Sequence, residues 1–144
     1  MNVRLKYLAS VSALTILAAV LLAAPSYAGS NLLDGKRFTT EEGDAGKPAK
    51  IRDNILTFAD GKFHSKECDQ WGYGKGEVQA TQESDAIRFE TETRSEKYGT
   101  RQVWKGVVKG DAIEGTRVMY PKSSFFRPNP SPVEGWFKGT LKTD

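Results

Sequence analysis

The feature that most constrains the fold is a two-residue alternation of apolar or β-branched side chains with charged ones in the middle of the chain. In residues 87–94, Ile87, Phe89, Thr91 and Thr93 alternate with Arg88, Glu90, Glu92 and Arg94. Successive side chains of a β-strand point to opposite faces, so this pattern predicts a strand with one buried and one solvated face. Glu90 and Glu92 then lie on the solvated face, where cross-strand charge pairing accounts for them better than catalysis by paired carboxylates.

Turn-forming dipeptides separate further segments of this kind. Asp60-Gly61 and Gly110-Asp111 fit hairpin turns, which need a positive φ, while Ser84-Asp85 and Tyr98-Gly99 divide the segments between them. The segments predict about eight strands, near 36–42, 54–59, 62–66, 76–83, 86–95, 101–109, 112–120 and 133–142. Because most connections are short, we expect an all-β chain that forms a single antiparallel up-and-down β-barrel.

Two local patterns add detail to this expectation. Two segments have similar sequences that echo each other, each with a glycine inside a predicted strand: Trp104–Lys109 and Trp136–Lys142. Such a glycine marks a bend or the close approach of another backbone, so we interpret the echo as two strands that meet one geometric requirement of a small barrel. Around Pro48–Asn54, the i, i+4 spacing of Ile51 and Ile55 indicates a helical turn.

The N-terminal residues have the three parts of a secretory signal. Arg4 and Lys6 precede an apolar run over residues 8–24, and Pro25-Ser26-Tyr27-Ala28 places small residues where a signal peptidase reads them. A membrane anchor is the rival interpretation, but the Ala-x-Ala-like end and the polar sequence after it favour cleavage. We expect a cleavable signal peptide at 1–28, a barrel domain at 29–144, a periplasmic or secreted bacterial protein, and no membrane span after cleavage.

Charge and cysteine content narrow the class of function. The signal holds two of the 21 basic residues and none of the 18 acidic ones, so the mature chain has a net charge of 19 − 18 = +1. This balance, without a stripe of one sign, is not typical of a nucleic-acid-binding protein. Cys68 is the single cysteine. It is either a buried, inert thiol or a link to another molecule, and the oligomeric state stays open.

The sequence offers little support for an enzyme or a metal site. The single histidine, His64, is followed by Glu67, Cys68 and Asp69, but no second His or Cys completes a set of metal ligands. Nothing around these residues indicates a Cys–His nucleophilic pair. We therefore predict no catalytic residue, no metal and no cofactor.

Two aromatic segments are the candidate binding residues. Trp71 and Tyr73 lie among glycines before a predicted strand, and Phe125 and Phe126 lie in the proline-rich segment 120–132. Long loops often carry binding function, and adjacent aromatic residues are suited to anchoring a partner. The alternative is that the loop folds over one end of the barrel and its phenylalanines fill the core.

Two short motifs carry a family resemblance. Leu33-Asp34-Gly35-Lys36-Arg37-Phe38 resembles the Leu-x-Gly-x-aromatic start of avidin-like and lipocalin-like barrels. The stretch from Leu56 to Phe63, followed by Cys68 and Trp71-Gly72-Tyr73, is similar to small exported bacterial proteins of unknown function. The resemblance implies a calycin-type barrel with a ligand in its mouth. The Gly-x-Trp of the lipocalin first strand is missing, and no avidin ligand site can be matched, so no functional residue is carried over.

These observations lead to a non-enzymatic binding protein. The first hypothesis is a small apolar or aromatic ligand bound at the barrel mouth, since a barrel of this size holds one small ligand at most. The second is a protein-interaction or inhibitor module that acts through the loop 120–132. An interior filled by Phe58, Phe89, Trp104 and Trp136 would favour the second hypothesis over the first.

Overall fold

The computed structural model describes residues 27–143, and the side chain of Tyr27 is outside this description. Most of the predicted signal peptide, residues 1–26, therefore lies outside the described residues. Nine strands and one short 3₁₀ helix, Lys66–Trp71, follow in the order β1 Tyr27–Ala28, β2 Arg37–Asp44, β3 Lys50–Ala59, β4 Lys62–Ser65, β5 Gly76–Glu83, β6 Ala86–Ser95, β7 Thr100–Lys109, β8 Ala112–Tyr120 and β9 Val133–Leu141.

Strands β2–β9 form a closed antiparallel barrel of eight strands. Consecutive strands pair with each other, β2 pairs with β9, and the pairing of β5 with β6 completes the ring. The seam between β4 and β5 is short, with the register pairs Lys62–Glu77 and Phe63–Gly76. Beyond it, β1 pairs with β5, so the predicted cleavage point after Ala28 coincides with the last residue of β1. The predicted all-β barrel is confirmed.

The helical turn expected around Pro48–Asn54 is wrong. β3 begins at Lys50 and pairs with β2 along its length. Ile51 is exposed and Ile55 is half-buried on the outer face of this strand. Residues four apart share a face in a strand as well as in a helix, so the i, i+4 spacing did not distinguish the two.

The up-and-down topology gives the barrel two different ends. At one end, which we call the turn end, short turns join β3 to β4, β5 to β6 and β7 to β8. At the other, the loop end, the connections are residues 45–49, 66–75, 96–99 and 121–132. The turn end is covered by the segment before β2, whose Leu33 is fully buried. The 3₁₀ helix covers part of the loop end and turns Cys68 inward.

The interior changes character between the two ends. Apolar side chains fill the turn end, and a continuous set of ring contacts with centroids 5.0–6.4 Å apart joins Phe38, Phe58, Phe63, Phe89, Trp104 and Phe137. Buried polar side chains face the loop end, namely Glu42, Asn54, Ser65, Thr93, Ser95, Gln102 and Arg117. Trp104 lies between the two groups.

The echoing segments of β7 and β9 place their tryptophans on opposite faces. Trp104 points inward, whereas Trp136 lies half-buried on the outer face and Phe137 enters the interior. The extra residue between Trp136 and Gly139 causes this difference, because one residue reverses the face in a strand. Both glycines still face inward at crowded positions: a Cβ on Gly106 would overlap the Phe89 ring, and one on Gly139 would overlap the backbone of β2.

Candidate functional site

All four predicted binding residues belong to connections at the loop end of the barrel. Phe125 and Phe126 lie in the loop between β8 and β9, which we call the tip loop (residues 121–132). Trp71 is the last residue of the 3₁₀ helix, and Tyr73 follows it before β5. The topology therefore places two segments that are some fifty residues apart in the sequence at the same end of the barrel.

The tip loop presents its two phenylalanines to solvent. Ser124 and Arg127 form a closed two-residue turn, in which each backbone N–H donates to the other residue's carbonyl, at 3.0 and 3.1 Å. Phe125 and Phe126 occupy the turn itself, 93% and 95% exposed, with their rings edge to face at 5.3 Å. The alternative expectation, that these phenylalanines fill the core, is wrong. The barrel interior is already occupied by six other rings, and the turn holds Phe125 and Phe126 away from it.

Trp71 and Tyr73 have opposite environments. Trp71 is 49% exposed and its ring lies 6.1 Å from that of Tyr98, with Lys97 5.0 Å above the Tyr98 ring. Tyr73 is buried, and its hydroxyl lies 2.6 Å from Thr100 Oγ1. Trp71 thus contributes to the loop-end surface, while Tyr73 fixes the segment that carries it.

A cluster of buried charged and polar side chains lies inside the loop end. Glu42 Oε1 accepts a hydrogen bond from Asn54 at 2.5 Å. Glu42 Oε2 lies 3.3 Å from Arg52 Nε and 3.8 Å from Arg117 Nε. Glu42 is 2% exposed and Arg117 is 8% exposed, so this carboxylate and at least one of its cations are removed from water. A buried ion pair of this kind is costly unless its members are well hydrogen-bonded.

Asn54 connects this cluster to the 3₁₀ helix. Its side-chain nitrogen Nδ2 also donates to Ser65 Oγ at 2.8 Å. Its side-chain oxygen Oδ1 accepts from the backbone N–H of Glu67 at 3.0 Å. Both side-chain N–H groups and the side-chain oxygen of Asn54 are therefore hydrogen-bonded. Asn54 holds the start of the 3₁₀ helix against the mouth of the barrel.

Cys68, in the 3₁₀ helix, contacts the same cluster. Ser65 Oγ donates to its sulfur at 3.2 Å, and the thiol lies 3.5 Å from Gln102 Oε1. Burial raises the pKa of the Cys68 thiol, the hydrogen bond from Ser65 acts in the opposite direction, and the nearby charge of Glu42 raises it further. The thiol is therefore protonated at neutral pH, which suits a buried structural cysteine rather than a nucleophile.

Sequence reasoning missed this cluster, although a signal for it is present. Glu42 follows Phe38 and Thr40 at two-residue spacing, so a buried Phe38 also places Glu42 inside. Arg117 is related to Ile113 in the same way. Acidic and basic residues are seldom fully buried, which is why the alternation was not followed to these positions.

The residues considered for chemistry are dispersed. His64 Nε2 lies 2.6 Å from Asp69 Oδ1 near the surface, while Cys68 faces the interior. Glu90 pairs with Lys105 across the strands at 3.1 Å, and Glu92 pairs with Arg101 at 3.1 Å, both on the outer face. Within residues 27–143, no group of three or more His, Cys, Asp or Glu side chains is placed to hold a metal ion.

The described part of the chain contains no helix of the length and apolarity that a membrane crossing requires. Comparison of the chain with protein-family models, with curated proteins and with solved structures found no match. The likeness to avidin-like and lipocalin-like proteins therefore extends as far as a closed antiparallel barrel of eight strands.

Proposed function

We propose that this chain is an exported, non-enzymatic binding protein that engages a protein partner through its tip loop. The observation that carries the proposal is the exposure of Phe125 and Phe126, at 93% and 95%, on a closed turn. The signal-like pattern of residues 1–28 supports its location outside the cytoplasm.

Exposing two adjacent phenylalanines is unfavourable unless a partner covers them. Burying one such side chain is worth about 1.5–3 kcal/mol, so the pair offers a large gain on association. Aromatic side chains are also enriched where binding energy is concentrated in protein interfaces. The tip loop therefore has the composition of an anchor that inserts into an apolar pocket.

The conformation of the tip loop is well suited to binding. Pro121, Pro128, Pro130 and Pro132 restrict the backbone on both sides of the turn. The hydrogen bond from the Arg127 N–H to Ser124 Oγ, at 3.2 Å, adds to the two backbone bonds that close it. A loop that is already ordered loses less conformational entropy on association.

Charge indicates what surrounds the pocket on the partner. The tip loop contains Lys122 and Arg127 and no acidic residue. The neighbouring surface adds the cation of Lys97, above the exposed Tyr98 ring. Complementary charges guide association and select partners, so the matching surface is an apolar pocket with carboxylates at its rim.

A small apolar ligand at the barrel mouth has less support. The apolar half of the interior is occupied by contacting aromatic rings, among them Phe58 and Phe89. The half that faces the loop end is lined by polar side chains, which would be left without hydrogen bonds by an apolar ligand. The absence of enzymatic activity remains a prediction.

The direct test is to photo-crosslink the tip loop to its partner in the compartment to which the protein is exported. A photoreactive phenylalanine analogue replaces Phe125, and in a matched control the same analogue replaces Asp111, in the β7–β8 turn at the opposite end. We expect a discrete protein adduct from position 125 that is missing from position 111 and is strongly reduced by Phe126→Ser. The adduct is then identified by mass spectrometry.

Two results would count against the proposal. One is equal labelling from positions 125 and 111, which would mean random encounters. The other is labelling of lipid in place of protein, which would make the tip a membrane contact. The variant Phe125→Ser/Phe126→Ser should keep the melting temperature of the wild type, which separates a binding role from a role in folding.

A further inference from the structure

Several buried polar side-chain atoms inside the barrel have no hydrogen-bond partner among the described residues. Trp104 Nε1 is fully buried, and among the described residues no acceptor lies within hydrogen-bonding distance of it. The hydroxyl oxygens of Thr91 and Thr93, 3% and 2% exposed, likewise have no partner in residues 27–143. Buried polar groups of native proteins are nearly always hydrogen-bonded, so several unpartnered groups in one place call for an acceptor.

The charged side chains of the cluster are incompletely paired. Among the described residues, Glu42 is the carboxylate that contacts both Arg52 and Arg117, and Arg52 keeps a third of its side chain exposed to solvent. The distance of 3.8 Å from Arg117 to Glu42 is long for a hydrogen bond, and no other ionic contact of Arg117 is found in the described part of the chain. Arg117 is nevertheless 8% exposed. A guanidinium removed from water in this way favours an additional anion.

Two of these unpartnered side chains lie in one cross-strand row with Arg117. Thr91 on β6, Trp104 on β7 and Arg117 on β8 are direct cross-strand neighbours, and all three side chains point inward. The next residue in this row, on β9, is Gly135, and a Cβ there would lie 3.3 Å from Arg117 Nη2. The glycine thus leaves room for the guanidinium beside the mouth of the barrel.

We infer that the loop-end half of the barrel interior binds a small monocarboxylate, with Arg117 and the Trp104 N–H as its donors. A carboxylate supplies two acceptor oxygens and a negative charge, which suit the unpartnered Trp104 N–H and the guanidinium of Arg117, whose contact with Glu42 is long at 3.8 Å. Arginine holds a carboxylate through two parallel N–H···O bonds. The site lies below the loop-end surface that the proposed function uses, and it does not depend on that function.

The test follows the indole N–H signal of Trp104 by ¹⁵N nuclear magnetic resonance while sodium acetate is added at constant ionic strength. The signal is assigned with Trp71→Phe and Trp136→Phe, which change the two tryptophans that are not fully buried. We expect a saturable shift of the Trp104 signal, with a smaller response to chloride and to inorganic phosphate.

Arg117→Gln should weaken acetate binding by about tenfold or more, because the bidentate contact and the charge are both lost. The matched control is Arg94→Gln, since Arg94 is an exposed arginine at the same end of the barrel and should bind acetate as the wild type does. Where Arg117→Gln fails to fold, Arg117→Lys keeps the charge and removes the planar fork, and it should still weaken binding severalfold.

Three outcomes would overturn the inference. The Trp104 signal could show no saturable shift across the millimolar range. Acetate and phosphate could bind equally, which would indicate a general anion site. The Arg117 and Arg94 variants could weaken binding to the same extent, which would locate the effect on the surface.

Discussion

The turn end and the loop end of the barrel bury different kinds of side chain and are closed by different kinds of connection. At the turn end, Phe38 and Phe58 pack in an apolar interior, and Leu33 covers them. At the loop end, Glu42 and Arg117 are buried, and a 3₁₀ helix covers part of this end. One antiparallel sheet thus supports an interior of two chemistries.

The connections differ for a related reason. At the turn end, the β3–β4 turn has positive φ values at Asp60 (55°) and Gly61 (71°), and the β5–β6 turn has one at Ser84 (56°). These residues form tight hairpins with little exposed chain. At the loop end, the tip loop spans residues 121–132, between Tyr120 at the end of β8 and Val133 at the start of β9. The difference teaches that apolar packing is concentrated at the turn end, while the loop end buries charged groups that depend on one another for pairing.

The largest expected effect is at the turn end, from Phe58→Ala. The Phe58 ring contacts those of Phe38, Phe63 and Phe89, so its removal leaves a cavity among them. The free energy of unfolding should fall by about 3–5 kcal/mol. Urea denaturation measures this change, and Phe125→Ala, at the exposed tip, is the control that should stay within about 0.5 kcal/mol of the wild type. A small loss for Phe58→Ala would mean that the turn end is loosely packed.

The corresponding change at the loop end is Glu42→Gln, which leaves Arg52 and Arg117 without their carboxylate. Removing one member of a buried ion pair should lower the free energy of unfolding by about 2–4 kcal/mol, with the smaller value favoured by the partial exposure of Arg52. Glu90→Gln, which breaks the exposed pair with Lys105, should cost less than about 1 kcal/mol. Equal effects of the two variants would show that water reaches the loop-end cluster freely.

Thiol reactivity tests whether the 3₁₀ helix keeps the loop end closed. Burial raises the pKa of Cys68, so in the native protein its alkylation by iodoacetamide at pH 8 should be many times slower than in the unfolded chain. The control is Ser123→Cys in a Cys68→Ala background, which places a thiol on the exposed tip loop. Rapid alkylation of Cys68 in the native protein would show that the helix opens readily.

The smallest effect concerns an ion pair on the surface of the turn end. The hydrogen bond and charge of Lys109, 3.0 Å away, lower the pKa of Asp85. Its contribution to stability is therefore present above the pKa of the unfolded chain, near 3.9, and is lost as the pH falls through the lower folded value. Asp85→Asn should lower the melting temperature slightly at pH 7 and leave it unchanged at pH 2. A difference that persists at pH 2 would mean that Asp85 acts through the turn rather than through its charge.

Much of the fold could be predicted from local patterns. The predicted strands at 76–83, 86–95 and 112–120 match β5, β6 and β8 at both ends, because alternation and turn residues are properties of neighbouring positions. The start of β3 was less clear, since the spacing of Ile51 and Ile55 fits two periods. The candidate site was predicted in part: Phe125, Phe126 and Trp71 belong to the loop-end surface, while Tyr73 is buried.

The sequence by itself determined that the chain is built of short antiparallel strands, since the two-residue period and the positive-φ turns depend on residues close in the chain. Tertiary structure decided which side chains lie inside. Phe137 enters the interior in place of Trp136, Glu42 on β2 meets Arg117 on β8 over the intervening strand β9, and Phe125 stays in solvent although it is as apolar as the buried Phe89. The physical reason is that burial depends on strand register and barrel closure, which join residues far apart in the sequence, whereas hydrophobicity belongs to each residue alone.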